Sequence, residues 1–198
     1  MARKSMRAEI VEAALEQFHV RGYNAAGVKD ITDAAGTPKG SFYNHFDSKE
    51  ALAVVALERY GAGLRMEDLA DGRVEPLTRL RGHFEFLRDQ TVRHGCTRGC
   101  LIGNFGAEIA DRSDVIRTAV RQSFQQWAAL IAAALAEARQ AGSVRPDLDP
   151  EATARFLLSA WEGTLLAARA DRSASAFDSF FTVAFGTLLV RDGDHPGT

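Results

Sequence analysis

An all-helical fold is predicted, with a three-helix head and a larger helical body, about nine helices in all. Three observations predict it. Apolar residues recur at helical spacing along almost the whole chain, and no useful stretch alternates with the period of two that marks a strand. Glycines, prolines and cap-forming residues separate the periodic stretches at intervals that suit short connections. Residues 1–50 join two short amphipathic segments, a glycine turn and a third short helix into a helix-turn-helix pattern.

In the head, Ile10, Val11, Ala14, Leu15 and Phe18 fall on one helical stripe, so the first segment offers a face for burial. Gly22 supplies a stop and Gly27 the next entry, which leaves a second short helix with Val28, Ile31 and Ala35 turned inward. Gly36 suits a tight turn, because glycine takes positive φ without steric cost. Thr37 is the expected N-cap of the third helix, with Pro38 in its first position, where a missing N–H costs nothing. Phe42 and Phe46 are four apart and point into the core. Lys39, Ser41, Tyr43, Asn44 and His45 then face outward. Hydrogen-bonding groups on the outer face of so short a helix suit reading of a DNA major groove.

Gly22-Tyr23, the run from Val28 to Gly36, and the run from Lys39 through Phe46 to Glu50 resemble the N-terminal domain of the tetracycline-repressor (TetR/AcrR) family. These are all-helical, homodimeric, one-component transcription regulators of bacteria. The resemblance implies a repressor that binds a palindromic double-stranded DNA operator and is released by a small-molecule or electrophile effector. Carried over by position, Lys29, Lys39 and Ser41 are base-edge candidates, and Tyr43, His45 and Lys49 match phosphate contacts. Thr37, Pro38 and Asn44 complete that surface. One departure concerns the start of the second helix, where Ala26-Gly27 stand in place of the family's Thr or Ser. The hydroxyl contact is lost there, and the Gly27 N–H is left to meet a phosphate.

After the head, Asp47-Ser48-Lys49-Glu50 reads as a capping box that opens a fourth helix through Leu52, Val55, Ala56 and Arg59. Gly61, Gly63, Gly72 and Pro76 mark residues 61–76 as loops and broken helix. A helix carrying Leu77, Leu80, Phe84 and Leu87 follows and ends near Gly95. Leu101 to Ala110 suits a short helix, and Asp111 to Asp114 a turn and fresh cap. Val115 to Ala141 is Ala-rich and strongly helical, with Gly142 as its stop. Asp149-Pro150 starts the eighth helix, with Phe156, Leu157, Ala160, Trp161 and Leu165. The ninth runs roughly from Ala174 to Val190, with Phe177, Phe180, Phe181, Phe185 and Leu188. The expected division is a DNA-binding domain over 1–50, an effector-binding and dimerisation domain over 51–191, and a frayed tail over 192–198.

The last two helices are apolar on more than one face, so one face packs inward and another still needs cover. The resemblance implies that helices 8 and 9 pair with their mates in a four-helix dimer interface; the alternative is that they are core helices of a larger monomer. It also implies an effector site in the body between helices 4 and 8. Phe84, Phe86, Trp127 and Trp161 are apolar candidates for lining it, with Arg88, Asn104, Glu108 and Glu162 as polar ones. Core packing is the readier role for each aromatic taken singly, and exposed helix faces explain the four polar residues as well. His19 and His83 read as partly exposed helix residues without a role.

Cys96 and Cys100 are the two cysteines, too few for a disulfide scaffold. With a helix beginning near Arg98 or Gly99, Cys100 lies in its first turn, where exposed N–H groups and Arg98 favour the thiolate. The run from Gly99 to Asp111 resembles a branch of the family that includes the N-ethylmaleimide-responsive repressors, in which a cysteine at this place senses electrophiles. A buried thiol acting as a small hydrophobe is the alternative. His94, Cys96 and Cys100 lack a fourth ligand at any standard zinc spacing, so no metal is expected, and nothing calls for a cofactor.

The formal net charge is -2, and residues 1–50 hold seven Lys and Arg against seven Asp and Glu. A DNA footprint must therefore come from local placement: Arg3, Lys4 and Arg7 as a basic arm, Lys29, Lys39 and Lys49 on the reading surface. No long apolar run or signal-peptide pattern occurs, which leads to a cytoplasmic expectation with no membrane partner. No phosphate loop, Gly-x-Ser-x-Gly or dinucleotide pattern occurs, so no enzyme is expected. The competing readings are a helical ligand-binding module and a thiol enzyme built on Cys100 and His94. Both leave the first fifty residues without a purpose.

Overall fold

The computed structural model describes residues 5–190; the basic-arm residues Arg3 and Lys4 and the tail at 192–198 lie outside them. Among the described residues the fold has nine α-helices and no strand: α1 Met6–Ala25, α2 Val28–Ala34, α3 Lys39–Phe42, α4 Lys49–Gly61, α5 Pro76–Arg93, α6 Leu101–Ile109, α7 Asp114–Gln140, α8 Pro150–Asp171 and α9 Ser175–Val183. A 3-10 turn over Met66–Ala70 bridges α4 and α5, and α9 runs on as a π-helical turn over Ala184–Leu188.

The chain forms two compact units. One holds the described residues through Leu64 together with Cys100–Phe124; the other holds Arg65–Gly99 and the residues from Gln125 on. In the first unit α1 packs on α2, α4 and α6, and α3 packs on α2. Its core is built on Ile10, Ala14, Phe18, Ile31, Phe42, Leu52 and Phe105, all buried. Burial of each such side chain stabilises by roughly 1.5–3 kcal/mol, so this small unit leans on a few large residues. Two features expected of the body, α6 and the first turns of α7, thus pack with the head helices. The physical reason is that Phe18 and Tyr23 at the end of α1 present rings to Phe105 of α6, with centroids 5.3 and 5.7 Å away.

The second unit has an aromatic centre. Phe84 of α5 lies 5.1 Å from Trp161 of α8 and 5.0 Å from Phe180 of α9, and Trp161 lies 5.3 Å from Phe177. Arg79, buried on α5, pairs with Glu137 of α7 and donates to the carbonyls of Asp71 and Val74. A buried guanidinium is tolerated only with such partners.

The element ends follow local chemistry. Gly36, Gly95 and Gly142 take positive φ where helices stop, and Gly22 takes it at a kink before the last turn of α1. After α2 the N–H of Thr37 reaches the carbonyl of Thr32 and that of Gly36 reaches Asp33, which is the Schellman arrangement. Two caps fall one residue later than expected. Pro38, extended at φ -61 and ψ 141, takes the cap position of α3, while the Thr37 hydroxyl turns back to the Thr32 carbonyl. Ser48 caps α4 by accepting from the Ala51 N–H at 3.0 Å, in place of Asp47. Glu50 does not close a box there, because its carboxylate accepts from the Ser113 hydroxyl at the start of α7. The expectation for the two histidines is corrected: His19 and His83 are 8% and 1% exposed.

Candidate nucleic-acid interface and effector body

The α3 segment is short but firmly set. Beyond Phe42 the backbone continues in turns, with the N–H of His45 and of Phe46 both reaching the Phe42 carbonyl. Phe42 and Phe46 are buried with rings 5.6 Å apart, and the Arg7 guanidinium of α1 covers Phe46 at 5.2 Å. These anchors leave Pro38, Lys39, Tyr43, Asn44 and His45 exposed, with Thr37 and Ser41 half-buried. Tyr43 is the extreme case, 60% exposed although it is a large ring. One contiguous stretch thus offers an ammonium, an amide, an imidazole and a phenolic hydroxyl to solvent, with the Ser41 hydroxyl half-buried beside them. Those groups suit hydrogen bonding to base edges and phosphates.

The two other lysines of the expected surface are held by protein partners. Lys29 on α2 is exposed and pairs with Asp33 one turn on, at 2.5 Å. Lys49, in the first turn of α4, places its ammonium 4.2 Å from the centre of the Tyr23 ring. Burial lowers its pKa, while Glu108 and Asp30 oppose that shift. The Gly27 N–H does not point to a phosphate as expected: it donates to the Asp30 carboxylate at 3.0 Å. Lacking a hydroxyl at this position, the chain caps α2 through Asp30, which also pairs with Arg21 at 3.1 Å.

Of the effector candidates, Phe84 and Trp161 meet in the aromatic centre of the second unit, and Trp127 joins the same unit from α7. All three are buried. Cys100 and Asn104 belong to the first unit, one turn apart on α6, where the Asn104 N–H donates to the Cys100 carbonyl at 2.9 Å. Cys100 is the cap residue of α6 rather than a member of its first turn, and it is 4% exposed. Cys96 belongs to the second unit, buried in the left-handed turn that ends α5. Neither forms a disulfide. No group of three or more metal-type ligands occurs among the described residues.

Comparison with known proteins decides the family. Residues 10–56 match the model of bacterial regulatory proteins, tetR family, and residues 76–184 match the tetracyclin repressor-like C-terminal domain. The chain belongs to the TetR family. It is 39% identical to the HTH-type transcriptional repressor DhaR of Mycobacterium sp. strain GP1, over 96% of this chain and 95% of that one. It is 32% identical to the HTH-type transcriptional repressor NemR of Escherichia coli K12, over 77% of this chain and 78% of that protein. A regulatory protein TetR from Rhodobacter sphaeroides, of known crystal structure, superimposes with a TM-score of 0.84 at 34% identity, covering 92% of this chain and 98% of that one. This TetR-family chain is therefore a DNA-binding transcriptional repressor of the effector-controlled type.

Sequence reasoning did not foresee the long-range partners of two residues of this TetR-family fold. One is Glu108, whose carboxylate engages the backbone of the last turn of α1, just after the kink at Gly22. The other is His83. Trp127 Nε1–H donates to His83 Nε2 at 3.0 Å. Indole nitrogen only donates, so His83 Nε2 must be the bare nitrogen and the proton sits on Nδ1. Burial, helped by the charge of Arg65, lowers the His83 pKa from 6.5 to about 4. The unfolded chain therefore takes up a proton between pH 6.5 and 4 that the folded chain refuses. Stability supplied by neutral His83 is complete above pH 6.5 and is lost as pH falls toward 4, by up to about 3 kcal/mol. His83→Gln keeps an acceptor for Trp127 but does not titrate. Its melting temperature is expected to fall less than that of the wild type between pH 6.5 and 4.5. Parallel acid profiles for the two proteins would show that His83 carries no such linkage.

Proposed function

We propose that this repressor binds a two-fold symmetric operator as a homodimer in the cytoplasm, one α3 segment to each half-site. The head over 1–50 supplies the DNA contacts, and residues 51–191 supply effector binding and dimerisation. The observation that carries the reading is the α3 stretch itself, anchored by buried Phe42 and Phe46 while Lys39, Tyr43, Asn44 and His45 stand in solvent. Lys39, Ser41 and Lys29 read base edges; Tyr43, His45, Thr37 and Lys49 hold phosphates, Lys29 and Lys49 by exchanging Asp33 and Tyr23 for the DNA.

The dimer reading is supported by α8. Ala152, Phe156, Ser159, Gly163, Leu166 and Ala170 recur at helical spacing and all are exposed, forming an uncharged stripe. Phe156 and Leu166 are 56% and 69% exposed, and Val183 on α9 is 54% exposed. A stripe of this kind is what an isologous helix pairing buries. The effector is a small apolar molecule taken up in the body, with Phe84, Trp127 and Trp161 as the contacts. Selection of bound duplexes from a random-sequence pool tests the function. Enrichment of an inverted repeat is the expected result, and no enrichment over the starting pool would contradict it.

Burial favours Cys100 as core filling over a sensor, because a shielded thiol is inert. Native protein is expected to alkylate with N-ethylmaleimide far more slowly at Cys100 than the denatured chain. Fast native alkylation that releases the operator, and fails to do so in Cys100→Ser, would instead make Cys100 the electrophile sensor.

A further inference from the structure

The end of α1 is held by a group that no DNA contact accounts for. At Gly22 the chain leaves helical geometry, with φ 77 and ψ 171, and the next two N–H groups, of Tyr23 and Asn24, point the same way. Glu108 of α6 accepts both, Tyr23 N–H at 2.8 Å on one carboxylate oxygen and Asn24 N–H at 2.7 Å on the other. Successive amides of this kind form an anion-binding concavity, and here the anion is a side chain from a helix 84 residues on from Asn24. The fit is close. The positive φ at Gly22 favours glycine, and a Cβ there would lie 2.7 Å from a Glu108 oxygen, so that the carboxylate would have to move off the two amides.

The same turn of α6 makes a second contact with this corner. Phe105, three residues before Glu108, meets the Tyr23 ring edge-on at 5.7 Å, and the Lys49 ammonium of α4 lies over that ring at 4.2 Å. The corner leads directly into Ala26 and Gly27, the entry to α2, and α3 packs on α2. Whatever fixes the Tyr23–Asn24 backbone therefore fixes where the helix-turn-helix starts relative to α1 and α6.

We propose that Glu108 is a positioning residue for operator recognition: its carboxylate locks the kinked last turn of α1 and so sets the helix-turn-helix on α6. The head reaches its DNA-competent geometry through this lock, and a shift of α6 is passed to the recognition segment through backbone amides. The lock rests on the operator reading only for its consequence on DNA; its effect on the corner is independent of any DNA.

The test uses full-length Glu108→Ala and Glu108→Gln, each checked for an unchanged melting profile by circular dichroism. Two readouts separate positioning from mere stability. The first is amide hydrogen exchange at Tyr23 and Asn24 without DNA. It is expected to speed up in Glu108→Ala by about 10-fold or more, with Gln, which keeps one acceptor, in between; one lost charge-assisted hydrogen bond corresponds to about that factor. The second is the ratio of affinities for the selected operator and for a scrambled duplex of equal length. Weaker population of the competent head should lower operator affinity by about 10-fold in Glu108→Ala and leave scrambled binding unchanged. Unchanged exchange at the two amides overturns the proposal. So does an equal loss on both duplexes, the mark of a smaller folded fraction, or an unchanged ratio. If the wild type itself shows no operator preference, the operator reading fails, and the exchange result alone decides whether the lock exists.

Discussion

Leu166→Glu is expected to dissociate the repressor into monomers and to abolish operator binding at concentrations that saturate the wild type. Leu166 sits in the uncharged stripe of α8 and is 69% exposed in the single chain. In a two-fold interface the substitution places a carboxylate on each side, facing the same apolar surface. An unpaired buried charge costs about 3–5 kcal/mol, and symmetry applies that cost twice. The folded protomer loses little, since the position is open to water when unpaired. Sedimentation velocity should show half the mass with unchanged helicity. A dimer that persists with Glu at 166 would remove α8 from the interface.

Lys39→Ala is expected to weaken operator binding by roughly 1–3 kcal/mol and to loosen base preference at the position it reads. Lys39 begins α3, is exposed, and lies next to the cap residue Pro38, where a side chain enters a major groove first. Among the described residues it has no ion-pair partner, whereas Lys29 is committed to Asp33. The distinction from a phosphate contact is in the sequence dependence. A base-reading lysine loses affinity for the operator more than for single-substitution variants of it, while a phosphate-binding one loses equally on all. Equal affinity of wild type and variant for every duplex would move the reading face elsewhere.

The fold class and most helix ends were legible in the sequence because they depend on neighbours in the chain. Gly36, Gly95 and Gly142 stop helices through positive φ, Gly22 kinks α1 the same way, and Asp149 caps α8 by accepting from the Glu151 and Ala152 N–H groups. The exposed face of α3 was legible for the same reason: two phenylalanines four apart dictate which side is left outside. At α4 the adjacent Asp47 and Ser48 both carry a capping oxygen and Ser48 takes the role, while at α3 the Thr37 hydroxyl turns to the Thr32 carbonyl and leaves the cap position to Pro38. Long-range pairings were not legible. Nothing near His83 announces that Trp127 will meet it, 44 residues away. Glu108 looked like an exposed polar residue because its partners are backbone amides, which carry no side-chain signature. The packing of α6 against the head was hidden with it.

The central claim is that two copies of the α3 face read two half-sites together. The most direct measurement compares binding of the wild-type protein to the selected inverted repeat and to the same duplex with one half-site scrambled. Joint reading predicts a loss of about 100-fold or more, with a complex of two chains per intact repeat. Equal affinity for the two duplexes, or one chain bound per repeat, would contradict it.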